Sequence, residues 1–365
     1  MSGPLSGYKV IEFAGLGPTP FSTCLLADFG ADVVRIDRPG KPMLVPKYDF
    51  YNRNKRSIVL DLKKDEDQQT AHRMVEQADI LVEGYRPGVM ERLGFGPDIC
   101  LVRNPRLVYG RMTGWGQSGP MAMEAGHDIN YLAMTGALLV TGHADREPTP
   151  ALNLVADLGG GAMYLLFGIL AAVLEAQKSG KGQVVDAAMI DGVSHLSLGV
   201  LGFLQQGSWT TSRQDNLVDG GAPFYRAYRT SDGNFVSVGA IEPQFYAALV
   251  AALGQDFASL PDRDDRANWA YLNDLFATIF AGKTREEWIA IMTQKDACFS
   301  PVLSYEEARS HPQFNERNVY QTLGGLHHPA PAPRLSRTPG ELRMPPPEPG
   351  QHSEEVRRAW KLDPI

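Results

Sequence analysis

Three short segments carry side chains able to take up and return protons. In the first, Ala125-Gly126-His127-Asp128-Ile129-Asn130-Tyr131, a histidine stands just before an apolar stretch. An imidazole titrates near neutrality and suits general acid–base work. Asp128 reads as the N-cap of a helix beginning there, and the unpaired N–H groups of that first turn would suit an oxyanion beside His127. On this segment alone His127 is equally readable as a satisfied structural histidine. In the second, Leu152-Asn153-Leu154-Val155-Ala156-Asp157-Leu158-Gly159-Gly160-Gly161, Asp157 is either the cap of the next helix or a reactive carboxylate. Each glycine costs a helix roughly 1 kcal/mol relative to alanine, so a packed helix or a substrate must approach that backbone closely. In the third, Val238-Gly239-Ala240-Ile241-Glu242-Pro243-Gln244-Phe245-Tyr246, Glu242 precedes a helix and favours its positive end.

The elements that must position these groups alternate. Strand-like runs at 8–13, 33–36, 57–60, 80–83 and 107–112 are separated by helical patterns near 21–29 and 67–78. Strands interleaved with helices predict a parallel sheet covered on both faces, hence an α/β, Rossmann-like large domain. From Ala133 to Val173 the pattern reads as helical, with the triple glycine opening the second helix. Near Tyr225 a smaller α+β domain begins, with a strand pair around Ser231-Asp232-Gly233-Asn234 and helices near 244–253, 271–280 and 285–293. The expected division is a large domain of residues 1–186 and 326–365, a linker 187–224 and a small domain 225–325. The proline-rich chain from Leu326 onward should be extended and run back across the first domain.

The first strand ends in Gly15-Leu16-Gly17-Pro18-Thr19-Pro20, and Asp37 closes the second, which outwardly suits a dinucleotide site. The third glycine is missing, however, and Pro18 and Pro20 remove N–H donors that a pyrophosphate would need. A net charge of −7 over 365 residues disfavours nucleic acid and anionic membranes. Three scattered cysteines, Cys24, Cys100 and Cys298, argue against a disulfide scaffold or a zinc site. The N-terminus lacks the features of a signal peptide, Asp363-Pro364-Ile365 resembles no peroxisomal address, and the longest apolar run, 162–174, reads as a buried helix too short to span a bilayer. The expected location is cytoplasmic.

The runs Gly3-Pro4-Leu5-Ser6-Gly7, Ala31-Asp32-Val33-Val34-Arg35-Ile36-Asp37-Arg38-Pro39-Gly40, Glu83-Gly84-Tyr85-Arg86-Pro87-Gly88 and Arg111-Met112-Thr113-Gly114-Trp115-Gly116-Gln117 resemble the family III CoA-transferases over nearly the whole chain. The stretch 40–51 matches least. Within that family, the His127, Asp157 and Glu242 segments resemble the racemases of 2-methylacyl-CoA thioesters. The resemblance implies an interlocked homodimer and two-base α-proton transfer through an enolate, without metal or organic cofactor. His127 would serve the S-epimer and Asp157 the R-epimer, Glu242 would hold His127, Asn153 would assist Asp157 or the thioester, and Asp128 would offer its backbone N–H to the enolate oxygen. Family resemblance further places Arg38, Leu60, Asp61, Leu62, Lys63, Gly84, Tyr85, Arg86 and Arg92 around the nucleotide of coenzyme A, and Gly126 and Tyr131 beside it. Arg38 and Arg92 suit phosphate through the guanidinium fork. Met112 and Met189 are candidates for an acyl-chain surface, or are core. Competing readings are a CoA-transferase with Asp157 as nucleophile and a non-catalytic acyl-CoA-binding protein. His143, His195, His327 and His328 receive no role.

Overall fold

The computed structural model describes residues 3–40 and 49–362. The terminal motif 363–365, Met1-Ser2 and most of the poorly matching stretch 40–51 therefore lie outside the described residues. The chain forms two compact units. Unit 1 comprises 1–135, 151–196 and 312–365, and unit 2 comprises 136–150 and 197–311.

Unit 1 is built on a six-stranded parallel sheet of β1 (Lys9–Phe13), β2 (Asp32–Asp37), β3 (Arg56–Val59), β4 (Ile80–Glu83), β5 (Val108–Thr113) and β6 (Val184–Ala188), in the order β3-β2-β1-β4-β5-β6. The chain leaves β1 toward β2 on one side and later returns to add β4 on the other, so strand order reverses between β1 and β4. Ligands of open α/β sheets bind beyond the carboxyl ends at such a reversal. Helix α1 (Pro18–Asp28) follows β1 directly. Proline at its first position costs nothing, because that N–H has no helical acceptor. Helices α2 (Asp65–Val75), α3 (Val89–Arg92) and α4 (Pro97–Arg103) link β3, β4 and β5. The sheet face formed by Ile11, Val34, Ile36, Ile58 and Leu81 closes over Met74, Cys100, Val356 and Trp360, all essentially buried.

After β5 come α5 (Asp128–Met134), then a helix that is π-wound over Leu154–Ala162 and α-helical over α6 (Met163–Ser179), and, beyond β6, α7 (Met189–Leu196). The expected helix from 133 to 173 is thus interrupted: Gly136 and Gly142 take positive φ and Pro148 and Pro150 follow, which ends α5 at Met134. The triple glycine lies inside the π-wound turns and does not open the helix. The continuous helix 154–179 is long and apolar enough to cross a membrane by length and composition. Its α-helical part is half-buried: Leu165, Ile169 and Val173 are buried, with Leu165 and Ile169 filling the space over Gly110 on β5, while Phe167 and Leu174 are exposed.

In unit 2, α8 (Leu198–Gln205) precedes an antiparallel sheet of β7 (Tyr225–Arg229), β8 (Phe235–Gly239) and β9 (Phe299–Pro301) in the order β7-β8-β9. Helices α9 (Pro243–Ala252), α10 (Trp269–Phe280), α11 (Arg285–Met292) and α12 (Tyr305–Ser310) accompany it, and Phe224, Tyr246, Phe276 and Trp288 centre its core. The segment 187–224, expected as a linker, carries α7 in unit 1 and α8 in unit 2. The chain re-enters unit 1 with α13 (Pro312–Glu316) and the hairpin β10 (Tyr320–Leu323) and β11 (Leu326–Pro329). It then runs extended, donating the Arg343 guanidinium to the Ala27 carbonyl, and ends in α14 (Ser353–Ala359), a helix the proline content had hidden.

Candidate active site

A cleft of about 810 Å³ opens in unit 1 at the strand reversal. Its walls are the segments that leave the carboxyl ends of the strands: 14–20 after β1, Asp37 and Arg38 at β2, 84–87 after β4, 113–115 after β5, and Met189 after β6. Gly126, His127, Tyr131, Asn153 and Asp157 complete it.

The two proton-carrying candidates share this cleft and are tied together through Asp128. Helix α5 begins at Asp128, so His127 rather than Asp128 is its N-cap, and the His127 N–H donates to Asn130 Oδ1 at 3.0 Å. The Asp128 carboxylate is turned away from its own helix end and buried. Its Oδ2 accepts the backbone N–H groups of Ala156 and Asp157, both at 2.8 Å. These belong to the first π-wound turn, whose N–H groups have no acceptor within the helix. One residue thus carries His127 on its amino side and grips the backbone of Asp157.

Asp157 is itself no cap: the N-cap is Asn153, whose Nδ2 donates to Asp157 Oδ2 at 3.3 Å. That Oδ2 also lies 3.3 Å from where a Cβ on Gly17 would stand, so the glycine after β1 leaves room for the carboxylate. Burial pushes the Asp157 pKa above the ordinary aspartate value, and the negative charge of Asp128 adds to this. The Asn153 hydrogen bond and nearby His127 oppose it. A half-buried carboxyl held on the high side of its range can both accept and return a proton. The neighbouring glycines answer the question of close approach: a Cβ on Gly192 of α7 would stand 1.8 Å from the Gly160 carbonyl oxygen, and one on Gly160 2.9 Å from the Val193 nitrogen. A packed helix occupies that backbone. The Met163 N–H reaches back to Leu158 O, five residues away, as a π-wound segment requires.

Tyr131 forms the wall beside His127. Its hydroxyl donates to the Gly126 carbonyl at 2.6 Å, its ring meets Trp115 edge-on at 4.8 Å, and it lies where any side chain on Gly114 would be. Met112 and Met189 are both buried and both line the cleft.

Of the expected nucleotide residues, Arg38, Gly84, Tyr85 and Arg86 line the cleft, the two arginines exposed. The Tyr85 hydroxyl donates to Ala14 O at 2.9 Å, joining the loops after β1 and β4. Leu60, Asp61, Leu62, Lys63 and Arg92 are not part of this wall. Leu60 is a core residue, and Asp61 closes its own turn by accepting the Lys63 N–H. Leu62 packs on the core's edge, and the Lys63 and Arg92 side chains are exposed. Glu242 belongs to unit 2, where it is the exposed N-cap of α9. His143 also lies in unit 2, and its carbonyl accepts from Arg213 Nε. His195 pairs with the Tyr164 hydroxyl at 2.7 Å, His327 faces Thr322, and His328 is buried against Phe50. Among the described residues, no group of three or more His, Cys, Asp or Glu could hold a metal ion.

Sequence reasoning missed Tyr51 and Asn52, which also line the cleft. Tyr51 closes the stretch that resembles the family least and Asn52 follows it, and only the tertiary fold brings them to the cleft.

The chain belongs to CoA-transferase family III, whose model matches residues 5–353. It is 46% identical to α-methylacyl-CoA racemase of mouse, over 98% of this chain and 93% of that one, and 44% identical to the human α-methylacyl-CoA racemase over 96% and 92%. A solved CaiB/BaiF family structure from Brucella suis superposes over the full length of both chains with a TM-score of 0.87 at 25% identity.

Proposed function

We propose that this protein is a cofactor-independent racemase that interconverts the (2R) and (2S) forms of 2-methylacyl-CoA thioesters. The observation that carries the reading is the placing of His127 and Asp157 in one cleft, in a chain whose relatives at 44–46% identity are α-methylacyl-CoA racemases. Inverting an α-carbon requires removing a proton from one face and delivering one to the other. Two groups do this where one would tend to return the proton to its original face. His127 takes the proton of the S-epimer and Asp157 that of the R-epimer, each then acting as the acid in the reverse direction. A positioned base or acid contributes about 10² to 10⁴ in rate. The enolate oxygen lies at the start of α5, against the Asp128 N–H, where fixed donors are worth roughly 10² to 10³. Arg38 and Arg86 meet the phosphates of coenzyme A, and the acyl chain runs over Met112 and Met189.

The protein works as a homodimer, and Glu242 of a second copy completes the site by orienting His127. The test of the chemistry is incubation of one epimer of a 2-methylacyl-CoA in deuterated water. Loss of optical purity with one deuterium at C2 is expected. Retained configuration without exchange, together with a hydroxylamine-sensitive acyl group on Asp157, would instead establish a transferase. For Glu242, His127→Ala and Glu242→Gln chains refolded together should regain activity that neither has alone. Verified mixed dimers that stay inactive would place Glu242 outside the shared site.

A further inference from the structure

His127 stands where the backbone has little intrinsic restraint. The residue before it must be glycine, because a Cβ on Gly126 would lie 2.8 Å from the Tyr131 ring and 3.0 Å from the Trp115 ring. Glycine has the widest choice of backbone conformation of any residue. His127 is the N-cap of α5, with an extended φ of −134° and ψ of 176°, so no helical hydrogen bond fixes the peptide on its amino side. It is also exposed, so packing alone does not set its direction.

Two residues of the next turn supply the hold. The Gly126–His127 peptide is gripped at both of its polar atoms: the Gly126 carbonyl accepts the Tyr131 hydroxyl at 2.6 Å, and the His127 N–H donates to Asn130 Oδ1 at 3.0 Å. Turning this peptide between its flanking Cα atoms would break both bonds at once, which fixes the φ of His127. Its ψ is fixed from the other side, where the His127 carbonyl accepts the N–H groups of Asn130 at 2.8 Å and Tyr131 at 3.3 Å. Tyr131 is itself immobilised. It is buried, edge-on to Trp115 at 4.8 Å, and fills the space that any Cβ on Gly114 would take. Asn130 is exposed, so its amide can be removed without disturbing the core.

The direction in which a side chain leaves the chain follows from φ and ψ, and the rotamers open to it depend on them as well. We infer that Asn130 and Tyr131 are positioning residues for His127: together they lock the peptide ahead of it and so aim the imidazole into the cleft. The inference deepens the racemase reading by giving its histidine base a hold of its own, as Asp128 and Asn153 hold Asp157. It rests on that reading for its kinetic consequence alone.

Asn130→Ala removes the acceptor, and Asn130→Asp keeps an oxygen in its place. The first measurement is ¹³C relaxation of the His127 imidazole Cε1–H in the full-length protein, the signal assigned by its loss in His127→Ala. N130A should lower the order parameter of this ring, and N130D should keep it near the wild-type value. Tyr131→Phe, which retains the aromatic ring and removes the hydroxyl, should lower it too. The second measurement isolates each base. In Asp157→Asn only His127 remains, and exchange of the α-proton of the S-epimer with deuterated water reports on it. In His127→Ala, exchange from the R-epimer reports on Asp157. N130A should slow the first exchange about threefold to tenfold, the worth of one hydrogen bond, and leave the second within about twofold. A His127 ring no more mobile in N130A or Y131F than in wild type, an N130D ring as mobile as that of N130A, or equal slowing of the two exchanges overturns the proposal. Because the relaxation measurement needs no turnover, absence of exchange in both single-base proteins, with ring order still dependent on Asn130, would count against the activity and for the positioning.

Discussion

Asp128 offers two substitutions that separate its roles. Its Oδ2 is the acceptor for two backbone N–H groups at 2.8 Å, and the residue is only 6% exposed. In Asp128→Ala both donors lose their acceptor in a buried place, each at about 1–3 kcal/mol, so a loss on the order of 3 kcal/mol is expected. In Asp128→Asn the amide oxygen can still accept both, while the new NH₂ falls where Asp128 Oδ1 is now buried without a partner. The cost should be about 1–2 kcal/mol. The second effect is electrostatic. Asp128's negative charge is one cause of the raised Asp157 pKa, so removing it makes Asp157 a stronger acid. For the direction in which Asp157 must be ionised to act, the acid limb of the rate should extend to lower pH in D128N. Urea unfolding of all three proteins and pH–rate profiles in both directions provide the assay. D128A within about 0.5 kcal/mol of wild type, or a D128N acid limb displaced toward higher pH, would refute the reasoning.

Asp157→Asn should abolish epimerisation and stabilise the protein at neutral pH. The folded carboxyl has a raised pKa, so its contribution to stability is complete below the unfolded value and is lost as pH rises through the folded one; melting curves should show D157N gaining on wild type with rising pH and the gap closing in acid. Gly192→Ala would place a methyl 1.8 Å from the Gly160 oxygen and should cost more than about 3 kcal/mol or prevent soluble expression. Gly199→Ala, with open space around its Cβ in α8, should be neutral or stabilising by up to about 1 kcal/mol in the same unfolding assay. Lys55→Met leaves the fully buried Glu12 carboxylate without its ammonium at 2.7 Å and should cost about 3–5 kcal/mol. Adding Glu12→Gln should restore part of that loss in denaturation measurements.

The features legible in the sequence are those written locally. β1 to β5 are short β-branched runs between turn residues, and their order fixes the Rossmann-like sheet. β6 was missed because Val184 and Asp186 are exposed, so the strand lacks an apolar pattern and exists through its pairing with β5. His127 and Asp157 stood out through their motifs, and both line one cleft. The partner of Asp128 did not, since the donors it meets are 28 and 29 residues away and no spacing rule connects them. The triple glycine was readable as a site of close approach, but its occupant, α7, lies about thirty residues on and could not be chosen over a substrate from sequence. Helix α14 was hidden in a proline-rich tail because its hold on the fold comes through Trp360, whose indole N–H reaches Asp32 Oδ2 at 2.9 Å across the chain.

These long-range ties also bear on how the proposed pair of bases would be kept at working geometry. Proton transfer to opposite faces of one carbon demands that the spacing between the bases be fixed, because effective catalysis falls steeply with small misplacements. Here the spacing is set by backbone. His127 caps α5, the next residue's carboxylate grips the amide of Asp157, and the turn bearing Asp157 is π-wound against α7 through glycines that tolerate no added methyl. Side-chain orientation is then a separate layer, supplied to Asp157 by Asn153. The two layers predict different failures: backbone lesions such as G192A should lower stability and both directions of turnover together. Side-chain lesions around Asp157 should leave the fold intact and shift the pH limb belonging to that base alone. An Asn153→Ala enzyme whose two directions lost rate with identical pH dependence would show that the layers are not separable.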